Sequence, residues 1–550
     1  MKRNKHLLLW SSVVTLGLLV VAAAQENLFK DWRRLQQQAS GPDGGIEVRL
    51  RQVVVPALGV IDRCITCHVG MAPGESSVLN HPVLKPHPPV PHDPAEFGCT
   101  TCHGGQGRAT ELADAHGDVH FWPEPMLRGD ESYAGCGSCH THLAVPRLTD
   151  LRHGLSALER ADCMSCHRLD GRGGTLRPDG GGMEGPDLSL VAASGFRADW
   201  YDDHLAQRAR ATAGPWRTSV RDLSVADRDA LDVLLKTRVG APRLVESKAL
   251  FQSLGCRGCH QVNGVGGDDG PDLSREGLLD PGRLDYTHVP GSRTVQAWLA
   301  EHFREPARVV PGSLMPLLGL TEPEIDLLTF YMLSLRPGDR PEAFWPADRI
   351  RALRFGEREF RTDGESLYAG FCAACHGPQG EGRRYAGIPP FPAIANRDFL
   401  SIASDDFIRE TVRRGRPGRR MPAWATAAGL RPAEIDAVVS HVRTLGGVVV
   451  EPDRRPARWV TGDAAEGERL FARACESCHG SGGRGGEGPA LANPVLLETA
   501  TDTYLVETIG RGRRGTSMEG FRTPSPTRPT LVDAEIEAIV AYLRRAQGGS

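Results

Sequence analysis

The N-terminal part of the chain differs in polarity from the rest. Three basic residues among the first five precede an apolar run over residues 7–24, which only small and hydroxyl side chains interrupt. The run is longer than most signal-peptide cores and slightly shorter than a full membrane-spanning helix of about 20 residues. We favour an uncleaved anchor over residues 1–38, with its basic end inside and its last part at the membrane interface. The alternative is a signal peptide cleaved near Ala22, Ala23 and Ala24.

Helical patterns recur through the rest of the chain with a period of roughly one hundred residues. Short amphipathic stretches at residues 249–251, 366–368 and 469–471 each precede a longer pattern with apolar positions at helical spacing. Polar and proline-rich stretches separate these units. The predicted fold class is mainly α, with an N-terminal segment followed by four tandem α-helical modules. The predicted boundaries are residues 46–145 for the segment and 150–240, 245–336, 350–446 and 462–546 for the modules.

Composition and charge add two constraints. The chain of 550 residues contains 64 glycines and 40 prolines, so we expect folded modules that are rich in loops. Lysine and arginine number 65 against 68 aspartate and glutamate residues, which gives a net charge of −3. A chain without a basic excess has no general attraction to phosphate backbones. No nucleic-acid partner is therefore expected.

All fourteen cysteines fall in Cys-x-x-Cys pairs, and a histidine follows each pair directly. This is the attachment signature of c-type haem, because the two thiols form thioethers to the haem vinyl groups and the histidine binds the iron. Zinc sites, dithiol redox sites and disulfide frameworks do not require that histidine. The sequence therefore predicts seven covalently bound c-type haems, numbered here in chain order. The attachment residues are Cys64, Cys67, Cys99, Cys102, Cys136, Cys139, Cys163, Cys166, Cys256, Cys259, Cys372, Cys375, Cys475 and Cys478. The proximal iron ligands are His68, His103, His140, His167, His260, His376 and His479.

The first three motifs crowd into residues 46–145, a segment with little apolar sequence of its own. We expect a haem-cored trihaem segment in which porphyrins pack directly against one another. Proline-rich loops supply more histidines there than the haems need. The favoured distal ligands are His81, His92 and His116, with His87, His120 and His142 as further candidates. For each of them, the alternative is a rigid His-Pro loop without a ligand role.

The later modules resemble class I monohaem cytochromes c, in which a helix and the Cys-x-x-Cys-His motif precede a glycine-proline loop, a methionine loop and a closing helix. The resemblance implies a methionine as the second iron ligand. A Gly-x-x-Met pattern ends at Met315, Met421 and Met518, which are the predicted distal ligands of haems 5, 6 and 7. The alternative is that these methionines fill gaps in the core.

The module around haem 4 departs from this pattern. Its Trp200 and His204 match Trp298 and His302 of the next module, but its methionine position holds Trp216 or Arg217, depending on the alignment. Haem 4 is therefore five-coordinate or takes another ligand. We favour His153, ten residues before Cys163, and the alternative for His153 is an ordinary surface histidine.

Residues 46–143 resemble the N-terminal part of membrane-anchored multihaem cytochromes associated with bacterial quinol-oxidising complexes. The stretches that carry the resemblance are residues 97–110, 115–117 and 122–125. It implies a quinol-oxidising membrane complex as one partner, among redox proteins. Because covalent haem attachment takes place outside the cytoplasm, we expect the protein to lie on the periplasmic side of the membrane. It is held there by the N-terminal anchor or, if the signal peptide is cleaved, it is soluble in the periplasm.

Thioether ligation raises the reduction potential of a haem, whereas a second histidine leaves it lower. We therefore interpret the chain as an electron relay that runs from the first three haems to the methionine modules. No catalytic residue is predicted. The alternatives are a reductase or peroxidase with an open iron at haem 4, and a haem-rich filament.

Arginines cluster in front of Met421 and Met518. They either steer an acidic redox partner or pair with haem propionates. The residues are Arg413, Arg414, Arg416, Arg419, Arg420, Arg511, Arg513 and Arg514.

Overall fold

The computed structural model describes residues 2–40, 46–72, 83–87, 90–120, 122–143, 145–174, 185–197, 199–201, 204 and 223–547. Within them, α-helices and short 3₁₀ turns dominate, and the strands form three small antiparallel hairpins. The hairpins pair Val53–Val55 with Val60–Asp62, Arg168–Leu169 with Arg172–Gly173, and Gln261–Val262 with Val265–Gly266. The prediction of a mainly α fold is confirmed.

The N-terminal helix Lys2–Leu28 has exposed apolar side chains and is long and apolar enough to cross a membrane. The next helix, Asp31–Ser40, instead packs on the protein, with Trp32 and Gln36 buried. The Gln36 side-chain amide donates to the Thr66 carbonyl at 2.7 Å, inside the first Cys-x-x-Cys-His motif. The apolar helix is therefore linked closely to the first predicted haem site.

Only short elements occur between residues 46 and 143 among those described. The helices are Pro94–Phe97, Thr100–His103 and Leu112–His116, and a 3₁₀ run spans Gly129–Ser138. Buried apolar side chains form two small clusters, around Val53 and around Val69. The buried Asp62 carboxylate accepts hydrogen bonds from the Cys99 and Thr100 N–H groups at 2.6 and 2.9 Å. Protein atoms alone provide only a small apolar core here.

One shared core lies under residues 134–335, and it includes Ala134, Leu143 and Val145 at the end of the N-terminal segment. Its centre includes Leu234, Leu250 and Leu328, all fully buried. The helices are Leu148–Arg160, Val191–Ser194, Val225–Lys236, Pro242–Ser253, Val295–Arg304, Pro306–Val309 and Glu322–Ser334. A second core lies under residues 360–543 and includes Leu367, Leu400 and Ile536. The helices of this second part are Ala347–Phe355, Gly364–Phe371, Ala373–His376, Arg397–Ile402, Asp405–Arg414, Trp424–Ala427, Pro432–Gly446, Ala464–Ala474, Glu476–His479, Pro494–Thr499, Asp502–Arg511 and Asp533–Gln547.

The last three modules repeat one framework, in which the helix before the motif packs on the closing helix. An aromatic contact joins the two helices in each module. The ring centroids lie 4.8 Å apart for Phe251 and Tyr331, 5.2 Å for Tyr368 and His441, and 5.4 Å for Phe471 and Tyr542. At Gly467 the two helices approach so closely that a Cβ atom would lie 1.9 Å from the Ala538 carbonyl oxygen. This crossing brings each motif to the edge of its module's core.

Candidate haem centres

Each Cys-x-x-Cys-His motif forms one tight turn. In all seven, the histidine N–H donates to the carbonyl oxygen of the first cysteine at 2.8–3.0 Å. None of the fourteen cysteines forms a disulfide. Burial raises the pKa of Cys256, Cys372 and Cys475 to about 12, so these side chains are neutral thiols rather than metal-binding thiolates.

Five of the motif histidines face a backbone carbonyl through Nδ1. The pairs are His68 with Val83 at 3.0 Å, His167 with Pro186 at 2.8 Å, His260 with Pro271 at 3.0 Å, His376 with Pro392 at 2.9 Å and His479 with Pro489 at 2.8 Å. A bond at Nδ1 leaves Nε2 to bind an iron, as is usual for ligating histidines. Burial also lowers the pKa of His68, His260, His376 and His479, which favours the neutral, ligating imidazole.

Backbone packs closely against several of these imidazoles. A Cβ atom on Gly185 or Gly270 would lie 2.4 Å from the ring of His167 or His260, and one on Gly488 would lie 2.9 Å from that of His479. Within the described part of the chain, no group of three or more His, Cys, Asp or Glu side chains is arranged to hold a bare metal ion. The residues therefore fit haems held by thioether bonds and a proximal histidine. Such haems supply one-electron redox chemistry.

A second imidazole faces the motif histidines of the N-terminal segment. The His87 ring lies 6.2 Å from that of His103, and the His92 ring lies 6.1 Å from that of His140. Two imidazoles bound to one metal at about 2.0 Å each have centroids about 6 Å apart, so both spacings suit an intervening iron. The structure brings the predicted His92 to the motif histidine His140, and one of the further candidates, His87, to the motif histidine His103.

His116 lies near His68, whose pKa is lowered first by burial and also by like-charge repulsion from His116. His81, the remaining favoured candidate of this segment, lies outside the described residues. His142 is engaged with its neighbour, its Nδ1 atom lying 2.8 Å from the Thr141 hydroxyl.

The structure gives His153 a different contact from the one expected. Its Nε2 atom lies 2.8 Å from the Asp227 carboxylate, and 41% of its side chain is exposed. Hydrogen bonds from Ser224 and His153 lower the pKa of Asp227 to about 2. The His204 ring lies beside the His167 ring, with 5.7 Å between the two centroids. The sequence analysis matches His204 to His302 by their shared spacing from tryptophan but proposes neither as an iron ligand. Trp216 and Arg217 lie outside the described residues.

Met421 and Met518 occupy equivalent loops. The Arg416 N–H donates to the Met421 carbonyl at 2.9 Å, and the Arg513 N–H donates to the Met518 carbonyl at 2.6 Å. Both methionine side chains pack against the second core. Met315 shares one local bond with Met518, since its N–H donates to the Ser313 hydroxyl at 3.2 Å and that of Met518 donates to the Thr516 hydroxyl at 3.1 Å, but Met315 packs in neither core.

Most of the clustered arginines pair with carboxylates of the chain, although Arg413, Arg511 and Arg514 remain exposed. The ion pairs are Arg413 with Glu410, Arg414 with Glu498, Arg420 with Asp269, Arg511 with Glu451 and Arg514 with Asp398.

Two equivalent arginines differ from these. Arg416 donates to the Thr411 hydroxyl at 2.9 Å and Arg513 to the Tyr504 hydroxyl at 2.6 Å. Neither has a carboxylate partner within the described residues, and burial lowers the pKa of Arg416 to about 10. A haem propionate suits both positions.

Cysteines of neighbouring motifs also touch one another. The Cys64 thiol contacts the Cys99 thiol, and the Cys259 thiol contacts the Cys375 thiol, which lowers the pKa of Cys64 and Cys259 and raises that of their partners. A Cβ atom on Gly135 would lie 1.9 Å from the Cys102 carbonyl oxygen, so the second and third motifs are also in close contact. The attachment points of haems 1, 2 and 3, and those of haems 5 and 6, are therefore adjacent.

Family comparisons agree with this description. Residues 360–442 and 462–543 match the family described as cytochrome c oxidase, cbb3-type, subunit III, and residues 244–336 match cytochrome c. The chain is 32% identical over 201 residues to the cbb3-type cytochrome c oxidase subunit FixP of Bradyrhizobium diazoefficiens, covering 34% of this chain and 62% of that protein. It is 29% identical over 201 residues to CcoP of Rhodobacter capsulatus, covering 34% and 63%. The chain thus spans less than two thirds of the length of these relatives.

A solved structure of the thiosulfate dehydrogenase TsdBA from Marichromatium purpuratum aligns at 18% identity and a TM-score of 0.17, covering 72% of this chain and 90% of that one. The motifs, fold and family matches together define a c-type cytochrome. More particularly, the chain is a multihaem electron-transfer cytochrome with covalently bound haem, cytochrome c domains and an N-terminal membrane anchor.

Proposed function

We propose that the chain carries seven c-type haems and relays electrons along them on the periplasmic side of the membrane. Electrons enter from a quinol-oxidising membrane complex at residues 46–145 and leave through the last two modules to a downstream acceptor. The observation that carries this proposal is the close approach of different motifs: the Cys99 N–H donates at 2.6 Å to Asp62, two residues before Cys64, and a Cβ atom on Gly255, beside Cys256, would lie 3.0 Å from the Ala374 nitrogen. Haems attached at touching positions have adjoining edges, so an electron passes between them without diffusion of a carrier.

Two kinds of iron ligation support a direction of flow. The proposed axial pairs of the first four haems are His68 with His116, His103 with His87, His140 with His92, and His167 with His204. Met421 and Met518 are the proposed second ligands of haems 6 and 7. Because thioether sulfur stabilises ferrous iron, the last two haems have the higher potentials and act as the exit.

The location and the exit partner rest on two further observations. The first residues are basic, which favours the inner side for the start of the helix Lys2–Leu28 and the periplasmic side for everything that follows. The FixP and CcoP relatives are oxidase subunits, and the family model of cbb3-type oxidase subunit III matches residues 360–442 and 462–543, in the last two modules. We therefore assign the exchange of electrons with a further redox protein to these two modules.

The reductase or peroxidase alternative requires an open iron at haem 4. The His204 ring at 5.7 Å from the His167 ring argues against it, because the spacing suits a second imidazole ligand. We therefore propose a relay without a catalytic haem.

The test is a redox titration of the full-length protein after its covalent haems have been counted by mass spectrometry. We expect seven haems and a low-potential group separated from a high-potential group. Met421→His and Met518→His should each move one haem from the high group to the low group, whereas the buried-core control Met332→Leu should move none. Fewer than seven haems, or no effect of either variant, would contradict the proposal.

A further inference from the structure

We infer that His302, rather than Met315, is the sixth ligand of haem 5, so that haem 5 is ligated by two histidines. This inference rests on the proposed haem binding and deepens it. The change from histidine to methionine ligation then falls between haems 5 and 6.

The surroundings of haems 4 and 5 are built in the same way. Each proximal histidine faces a proline carbonyl, Pro186 or Pro271, and each has a glycine whose Cβ atom would lie 2.4 Å from the ring. The loops that follow repeat a hydrogen bond as well. The Ser189 N–H donates to Asp187 at 2.9 Å, and the Ser274 N–H donates to Asp272 at 2.9 Å. A ligand found at haem 4 is therefore expected at the matching position of haem 5.

His302 is that matching position. Trp200 and His204 are four residues apart, as are Trp298 and His302. The helix Val295–Arg304 places Trp298 and His302 on one face, with their rings stacked at 5.2 Å and nearly parallel. The stacking holds the imidazole in one orientation, as a fixed ligand requires.

Within the described chain, the recorded contacts of the His302 ring are with the rings of Trp298 and Phe303. Its Nδ1 atom is buried and has no hydrogen-bond partner there. A buried polar group without a partner is costly, which makes an apolar residue the better choice unless the imidazole has a ligand. The helix Val295–Arg304 that carries His302 packs into the same core as the helix Pro242–Ser253, which leads directly into the motif of His260, through Leu299 and Leu250.

The last two modules provide a natural comparison. The helix that carries His302 has an equivalent in each of the last two modules, and the eighth residue after the N-cap can be compared in all three. This residue is His302 after Thr294, Val412 after Ser404, and Ile509 after Thr501. Both aliphatic residues are buried in the second core and cannot bind iron. A side chain that can bind iron therefore occupies this helix position in module 5, whereas the modules of Met421 and Met518 have an aliphatic residue there.

The Met315 loop shares its last turn with the other two methionine loops, since Ser313 N–H donates to Val310 as Thr516 N–H does to Arg513, but it lacks the backbone bond that closes those loops. Arg416 and Arg513 each donate a backbone N–H to the carbonyl of the methionine five residues later, and the preceding glycines have φ of +64° and +68°. No such backbone bond to Met315 is present within the fully described residues 223–547. Its neighbours Leu314 and Leu317 are 54% and 70% exposed, so this loop lies at the surface.

The consequence for the relay is a defined potential step. The Cys259 and Cys375 thiols touch, so haems 5 and 6 adjoin through their attachment points. With His302 on haem 5 and Met421 on haem 6, this contact becomes the step from low to high potential. Transfer across it is downhill and favours flow toward the last two modules.

The experiment compares full-length holoprotein variants by electron paramagnetic resonance and by the thioether-to-iron absorption band of ferric haem. His302→Ala should convert one haem of seven to high spin and leave the thioether band unchanged. Met315→Leu should leave all haems low-spin and the band at full intensity. Met421→Leu and Met518→Leu should each remove about half of the band.

His288→Ala is the matched control, since this exposed histidine belongs to the same module. It should change neither signal. Loss of about a third of the thioether band in Met315→Leu would overturn the inference, as would an entirely low-spin His302→Ala protein. A haem count below seven in the unmodified protein would instead contradict the proposed function, so the two failures are distinguishable.

Discussion

Asn396 and Asn493 hold the last two modules together by a reciprocal pair of contacts. The Asn396 side-chain amide donates to the Arg514 carbonyl at 2.9 Å, and the Asn493 amide donates to the Pro417 carbonyl at 3.2 Å. Each asparagine also caps its own helix, by accepting from Phe399 or Leu496. The two modules thus bury equivalent loops against each other and present haems 6 and 7 as one unit.

We predict that Asn493→Ala lowers the free energy of unfolding of this unit by about 2 kcal/mol, half from the helix cap and half from the lost contact. Asn493→Ser should lose only about 1 kcal/mol, because serine keeps the cap but does not reach Pro417. Urea unfolding followed at the thioether–iron band measures both. An Asn493→Ser protein as stable as the wild type would contradict a role for the Pro417 contact, whereas equal stability of the two variants would contradict a role for the cap.

A second prediction concerns the buried Glu359, which contacts Lys248 at 3.2 Å and Arg257 at 2.8 Å. These cations hold its pKa at about 2 despite burial, which acts to raise it. Glu359→Gln leaves two buried cations without their carboxylate, so we expect a loss of about 3–5 kcal/mol in unfolding free energy.

The pH dependence of that loss follows from the lowered pKa. The ionised Glu359 contributes stability above its ordinary pKa of 4.5, and this contribution disappears as the pH falls toward about 2. The difference between wild type and Glu359→Gln should therefore shrink over this window. Glu357→Gln is the control, because Glu357 is exposed and pairs only at the surface with Arg351. A difference that stays constant with pH would exclude this electrostatic origin.

The attachment motifs can be predicted from sequence, whereas the choice of distal ligands cannot. A Cys-x-x-Cys-His motif is local, since its turn closes between a histidine and a cysteine four residues earlier. A distal ligand comes from a loop or helix tens of residues away, so only the tertiary fold selects it. His204 and His302 carried a signal in their shared spacing from tryptophan, but the Gly-x-x-Met pattern at Met315 offered a competing interpretation.

The third prediction concerns His140, whose Nδ1 atom lies 3.9 Å from the Asp348 carboxylate. Five other motif histidines face a neutral carbonyl at that atom. A carboxylate makes the imidazole a stronger donor to iron and stabilises the ferric state. Asp348→Asn should therefore raise the potential of haem 3 by the equivalent of about 1–2 kcal/mol per electron.

Redox titration resolves this shift, and Asp339→Asn is the control because Asp339 is exposed and precedes the helix of Asp348 by only a few residues. The control should leave every potential unchanged. An unchanged haem 3 in Asp348→Asn would show that the carboxylate does not act on the iron.

The last prediction concerns Arg416, a buried arginine without a carboxylate partner in the described chain. If a haem 6 propionate is its counter-ion, removing the guanidinium removes a positive charge near the iron and stabilises the ferric state. At about 10 Å and an effective dielectric constant of about 20, a unit charge is worth about 1.7 kcal/mol. Arg416→Gln should therefore lower the potential of haem 6 by that order, and Arg513→Gln should do the same to haem 7.

Arg413→Gln is the control, because its partner Glu410 is on the protein surface. A shift of equal size in the control would assign the effect to general surface charge instead of a propionate contact.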